Sequence, residues 1–265
     1  NTYGIHPFHP IDSSWYFGDM VFIIEPFFWA ACAAPLIVMM ERRKLKIAAT
    51  ALLIGLPALF AYAGFLAWYS LVALAVTMTM TATIESRYGP RRPTSLIAAA
   101  MAMVIFIAAQ SFSSGLAKRA LAQDLESKDD GYRLHDIASM PLPTNPFCWT
   151  FLSVESNEAT NVYRSRKGVL SVASFIATED CPISAFRDTD AKKKSSGLEI
   201  LGVESGDLLQ LRQLDKSNCH FAAWMRFARV PHVESEQALD LRFSTGARAN
   251  FTSFVFEKFE SAACP

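Results

Sequence analysis

Charged side chains are scarce over the first 113 positions, which hold five acids (Asp12, Asp19, Glu25, Glu41, Glu85) and seven bases. Positions 1–18 contain no Lys or Arg at all. The whole chain lacks a Cys-x-x-Cys pair, so zinc-ribbon and thioredoxin-like chemistry have no support. It also lacks Gly-x-Ser-x-Gly and any Gly-rich phosphate loop, which removes the motif-borne routes to acyl and phosphoryl transfer. No basic stripe interleaved with aromatics occurs, and nucleic acid is not an expected partner. No internal repeat is visible, so a transporter reading, prompted by the prolines at Glu25-Pro26 and Pro57, lacks the symmetry it needs.

Against these absences, 51% of the residues are hydrophobic. The 25 acids and 25 bases cancel, but most of both lie after position 113. The composition divides the chain into a membrane half and a water-soluble half. The expected architecture is a membrane α-helical bundle of four transmembrane helices followed by a small α+β, β-rich extracytoplasmic domain. Spans are placed at 19–40, 46–63, 65–84 and 95–113, each long enough for roughly 30 Å of hydrocarbon at about 1.5 Å per residue. Gly64 divides the second from the third, and Tyr62, Trp68 and Tyr69 suit an interfacial aromatic belt. Arg42, Arg43, Lys44 and Lys46 mark one polar break, and Arg87, Arg91 and Arg92 mark another. Positive loops stay in the cytoplasm, which puts residues 1–18 and everything after the fourth span outside. Alanines in the second and fourth spans permit close helix packing.

Residues 114–132 read as a connecting helix or linker, because Leu116, Ala120, Leu121 and Leu125 share one helical face. In the soluble domain, 133–265, Pro141, Pro143 and Pro146 break any helix. Strand-like runs follow at 147–154, 162–165, 169–177, 221–230, 239–243 and 251–256, with a solvated loop at 187–196 and a short helix near 204–214. Cys148, Cys181, Cys219 and Cys264 lie in this half, and Cys32 lies in the first span. At least one disulfide is expected in an exported domain, with three pairings open.

Asn1-x-Tyr3-Gly4, Pro7-Phe8 or Pro10, and then Trp15-x-x-Gly18-Asp19-x-x-Phe22-Ile23-x-Glu25-Pro26-x-x-Trp29 form one motif. Later come Pro141-x-Pro143-x-Asn145-Pro146-Phe147 before Trp149, Arg229-x-Pro231, and Asp240-Leu241-Arg242-Phe243. Together they resemble the YbcI/YdjM-like family of inner-membrane, metal-dependent hydrolases, whose usual Asp-Pro is here Glu25-Pro26. The resemblance implies a multi-pass protein of a bacterial inner membrane, with the lipid bilayer as partner. It also implies a divalent metal, zinc foremost, and a phosphoester or lipid-linked substrate. The family's main His motifs precede the equivalent of Asn1, so the chain reads as the carboxy-terminal part of such a protein.

Asp19 and Glu25 are the foremost candidates for catalytic and metal-ligating residues, because acids at the mouth of an apolar segment are costly without a purpose. Six positions apart, they lie about 240° around a helix, unless Pro26 breaks the helix and turns both toward one cavity. They would then ligate a metal, orient a ligating histidine or accept a proton. Alternatively, Asp19 caps the helix and Glu25 sits in the wet interface. His6 and His9, with Asp12 nearby, suit zinc; the alternative is a solvated loop. His135, His220 and His232 read as structural or surface residues. The expected function is a membrane metal-dependent hydrolase with its site at the outer leaflet. The rival is a non-enzymatic membrane anchor that binds an envelope component through its exported domain, which would then fold as 114–265 alone.

Overall fold

A computed structural model describes residues 2–12, 14–89, 93–127, 131–183, 193–195 (backbone only), 197–243 and 251–259. Four helices come first: α1 (Pro26–Met39), α2 (Arg43–Tyr62), α3 (Trp68–Tyr88) and α4 (Thr94–Glu126). α1 begins at 26 and not at the expected 19. Pro26 fits the first helical position, the Glu25 side chain accepts from the Phe27 N–H, and Asp19 holds a left-handed φ of 47° that no helix accommodates.

The expectation of four membrane-crossing helices is not supported beyond two of them. Among the described residues, only α2 and α4 are long and apolar enough to cross. α1 has 14 residues and α3 carries Thr77, Thr79, Thr81, Thr83 and Glu85 in its second half. The run expected at 95–113 and the connecting helix or linker expected at 114–132 share one helix. α4 runs unbroken for 33 residues, about 50 Å. Gly115 weakens a helix by about 1 kcal/mol, but Ala117, Leu121 and Leu125 follow it and are buried, which offsets that cost.

Their burial partner is an antiparallel sheet in the order β1-β2-β3-β5-β4: β1 (Arg133–Leu142), β2 (Asn145–Asn157), β3 (Val162–Ser171), β4 (Lys193–Ser195) and β5 (Leu198–Asp207). Ile137, Trp149, Phe151, Leu170 and Leu198 close on the end of α4 as one core. At Gly168 a Cβ would collide with the Phe151 ring and the Glu199 carbonyl, so the bare backbone lets β3 lie against both. The two separate runs expected at 162–165 and 169–177 are the single strand β3 and a loop.

The strand expected at 221–230 is replaced by a helix. α6 (Cys219–Met225) follows α5 (Leu208–Ser217), and Asn218 caps α6 by accepting from the His220 and Phe221 N–H groups. That cap overrides the strand preference of the aromatic residues behind it. A small sheet of β6 (Pro231–Val233), β7 (Gln237–Asp240) and β8 (Phe254–Val255) packs on α6 through Phe221, Ala238 and Phe254. Cys148 and Cys181 form a disulfide inside a buried cluster with Val169 and Ile183. Cys219 is disulfide-bonded as well, and Cys32 is a free thiol. Cys264, and most of the loop expected at 187–196, lie outside the described residues.

Candidate functional site

The segment before α1 does not float in the interface. Its backbone folds on itself through an Ile5–Tyr16 bridge, and its aromatic residues dock on the far end of the chain. Tyr3 stacks on Phe251 and packs against Phe243, while Trp15 meets Phe227 edge-on. The Arg242 side chain donates to the Thr2 carbonyl at 2.5 Å and to the Phe227 carbonyl at 2.9 Å, with its guanidinium against the Phe17 ring.

Asp19 ends this segment fully buried. Arg229 Nη1 donates to both of its carboxylate oxygens at 2.8 and 2.7 Å, and Lys118 Nζ donates to Oδ2 at 2.8 Å. Ser114 of α4 donates to the Asp19 carbonyl. The other edge of the Arg229 guanidinium binds Asp136 of β1, at 2.5 and 3.1 Å, and the Ile137 carbonyl. Asp240 accepts from the Arg229 backbone N–H and from the Arg242 guanidinium. Three carboxylates and three cations therefore neutralise one another where the start of the chain, α4, β1 and β7 converge. Burial pushes the Asp136 carboxyl up, but the hydrogen bonds and charge of Arg229 outweigh it and hold the group below its ordinary value.

Glu25 serves a second junction. One oxygen accepts from Phe27 N, from Thr144 N at 2.9 Å and from Thr144 Oγ1 at 2.6 Å; the other, Oε2, is buried without a partner. Thr144, with φ 49°, is the tip of the β1–β2 hairpin. Ser70 of α3 donates to its carbonyl, and Asn145 Nδ2 donates to the Tyr69 hydroxyl at 2.9 Å. Trp149 Nε1 donates to Ser113 of α4, whose own hydroxyl donates to the Pro146 carbonyl. The proline-rich motif at 141–147 is the plug by which the sheet seats on α1, α3 and α4.

Asp19 and Glu25 thus serve separate junctions, and neither meets His6 or His9. The His6 and His9 rings lie 5.0 Å apart, with His6 stacked on Trp15 and its Nε2 buried without a partner. Asp12 accepts instead from Ser14 N and the Tyr16 hydroxyl. Among the described residues no three His, Cys, Asp or Glu side chains come together in a way that could hold a metal. With Asp19 already holding two cations, the donors present do not by themselves fit a zinc ion.

A separate recess of about 230 Å³ opens between the main sheet and α5. Val154, Leu208, Leu211, Met225 and Pro231 line it apolarly, with His135, Glu155, Ser156, Tyr163, Arg212 and Asp215 supplying polar groups. His135 falls in a register shift of β1, between Leu134 and Asp136, which turns its ring onto Ser156 Oγ at 2.7 Å. No sequence motif marked this pair, and Arg229 and Lys118 went unassigned because their partner Asp19 lies 210 and 99 positions away. Comparison with family models, curated proteins and solved structures returns no match to this chain.

Proposed function

We propose that this chain is a multi-pass inner-membrane protein whose four helices hold a β-rich domain firmly on their outer ends, and that it acts by binding. The carrying observation is that both candidate acids are engaged in assembly: Asp19 by Arg229 and Lys118, Glu25 by the hairpin tip at Thr144. Multi-pass insertion is supported by the apolar character of α2 and α4 and by the basic loops that precede them. The recess beside His135 and Ser156 pairs an apolar wall of Val154, Leu208, Leu211, Met225 and Pro231 with at least as many polar groups, which suits a small amphipathic group of an envelope component.

The hydrolase that the resemblance implies is the second reading. The observation in its favour is the pair of buried, unpartnered acceptors Glu25 Oε2 and His6 Nε2. One experiment separates the two. Divalent metal content and thermal midpoint are measured for the purified chain and for Asp19→Asn and Glu25→Gln. The binding reading expects sub-stoichiometric metal throughout and a lowered midpoint in both variants. Stoichiometric metal that falls in the variants, with an unchanged midpoint, would replace it with the hydrolase.

A further inference from the structure

A groove of about 430 Å³ runs between α1 and α2, lined among others by Trp29, Ala33 and Ile37 on one side and Ala49, Leu53 and Pro57 on the other. None of its lining residues is charged or polar apart from the Trp29 indole N–H. α1 takes its tight packing elsewhere: Ala30 sits in a cluster with Leu66 and Leu74, and Phe27 stacks on Phe106 of α4. α2 has no buried residue at all, so the groove is not a flaw in a shared core but the space between a packed helix and an outlying one.

One end of the groove is marked by charge. Met40 lines it, and the chain then continues through Glu41 to Arg42, Arg43 and Lys44, all exposed. Among the described residues none of these three bases has an ion-pair partner. Lys46 Nζ donates to the Val38 carbonyl at 2.7 Å, which ties the first turn of α2 to the end of α1 and fixes the basic run at that mouth. From Met40 back to Trp29 is about 16 Å of helix, close to the roughly 15 Å of one leaflet's hydrocarbon.

We infer that this groove holds one acyl chain of an anionic phospholipid whose phosphate sits against Arg42, Arg43 and Lys44. The inference rests on the membrane reading above. The apolar walls accept any acyl chain, so they carry no headgroup preference. Selectivity for a net negative headgroup comes from the three unpaired cations, each of which favours an anionic surface through Coulomb attraction in the interface. A zwitterionic headgroup gains far less there because its own ammonium opposes the cluster.

The test uses the full chain, first checked for membrane integration by alkaline carbonate extraction. It is then purified in detergent and titrated with phosphatidylglycerol or phosphatidylcholine, with retained lipid read by native mass spectrometry. We expect phosphatidylglycerol to be retained roughly tenfold better. Arg42→Gln/Arg43→Gln/Lys44→Gln, exposed changes that leave the core untouched, should erase that preference. Ala33→Phe should lower retention of both lipids by filling the groove. Equal retention of the two lipids by the unaltered chain, or an undiminished preference in the triple variant, overturns the inference alone. Release of the chain by carbonate overturns the membrane reading with it.

Discussion

Arg229 is the residue on which most of the polar junction depends. It bridges Asp19, which is fully buried, to Asp136 and the Ile137 carbonyl. Removing one partner from a buried ion pair costs more than the pair contributes, because a desolvated charge is left behind. Arg229→Met should therefore destabilise the protein by about 3–5 kcal/mol in a denaturant titration. Asp19→Asn keeps one accepting oxygen, leaves Arg229 paired with Asp136 and leaves the partly exposed Lys118 within reach of water, so its cost should be smaller, about 1–3 kcal/mol. The reverse order would show that Asp19 carries a duty other than this pairing.

Acid provides a second check on the same kind of residue. Glu155 is pushed up by burial, but Arg166, Ser153 and Arg164 hydrogen-bond its ionised form and hold it below its ordinary value of 4.5; Asp136 is held below 3.8. The unfolded chain then binds these protons more readily than the native one, so stability is present in full above those values and is lost as pH falls through the lower native ones. Thermal midpoints should be level from pH 7 to about 5 and drop steeply below about 4. A profile that stayed flat down to pH 3 would remove these carboxylates from the stability of the fold. At this scale the sequence flagged Asp19 and Glu25 as unusual, and they are buried. Their duties were illegible, because the partners lie 99 to 210 positions away and nothing local encodes such a distance.

Among the elements, the hairpin tip at Thr144 has the clearest division of labour. Its hydroxyl and N–H both serve Glu25, and its carbonyl serves Ser70. Thr144→Val keeps the shape and removes the hydroxyl, leaving a buried carboxylate short of one donor, and should cost about 1–3 kcal/mol of thermal stability. The Cys148–Cys181 bridge closes a 33-residue separation in the same region. Cys181→Ala should lower unfolding free energy by about 2–4 kcal/mol, while Cys32→Ser, in α1, should leave it nearly unchanged. The apolar run from Ile47 to Thr83 is too long for one span and divides at Gly64, and α2 and α3 lie on either side of that glycine. The miscast elements have local causes. Asn218 starts a helix where aromatic spacing reads as strand, and α1 starts only at Pro26 because Asp19 takes a left-handed φ of 47°.

For the molecule as a whole, the described residues of 2–19 form one body with the segments at 227–243 and 251–255. Arg242, Phe243 and Phe251 are covered by Thr2 and Tyr3, and Arg229 by Asp19. The rival reading expected residues 114–265 to fold alone, but such a fragment leaves that aromatic face open and Arg229 half paired. It should show weakened tertiary structure by near-ultraviolet circular dichroism, regained when a peptide of residues 1–24 is added. A fragment with full native signal and no response to the peptide would show the opening segment to be dispensable. The division into a helical and a β-rich half was visible in the distribution of charge. The way the two halves interlock was not, since it is built from pairs far apart in sequence, such as Asp19 with Arg229 and Glu25 with Thr144.

Because α4 passes without a hinge from the apolar bundle into the core beneath Trp149 and Phe151, it works as a stiff mast. On the proposed membrane reading, a tilt imposed on its lower turns by a change in bilayer thickness would find no joint at which to dissipate. It would reach the sheet as a rotation, and the lie of the β-rich part would follow the thickness of the lipid below it.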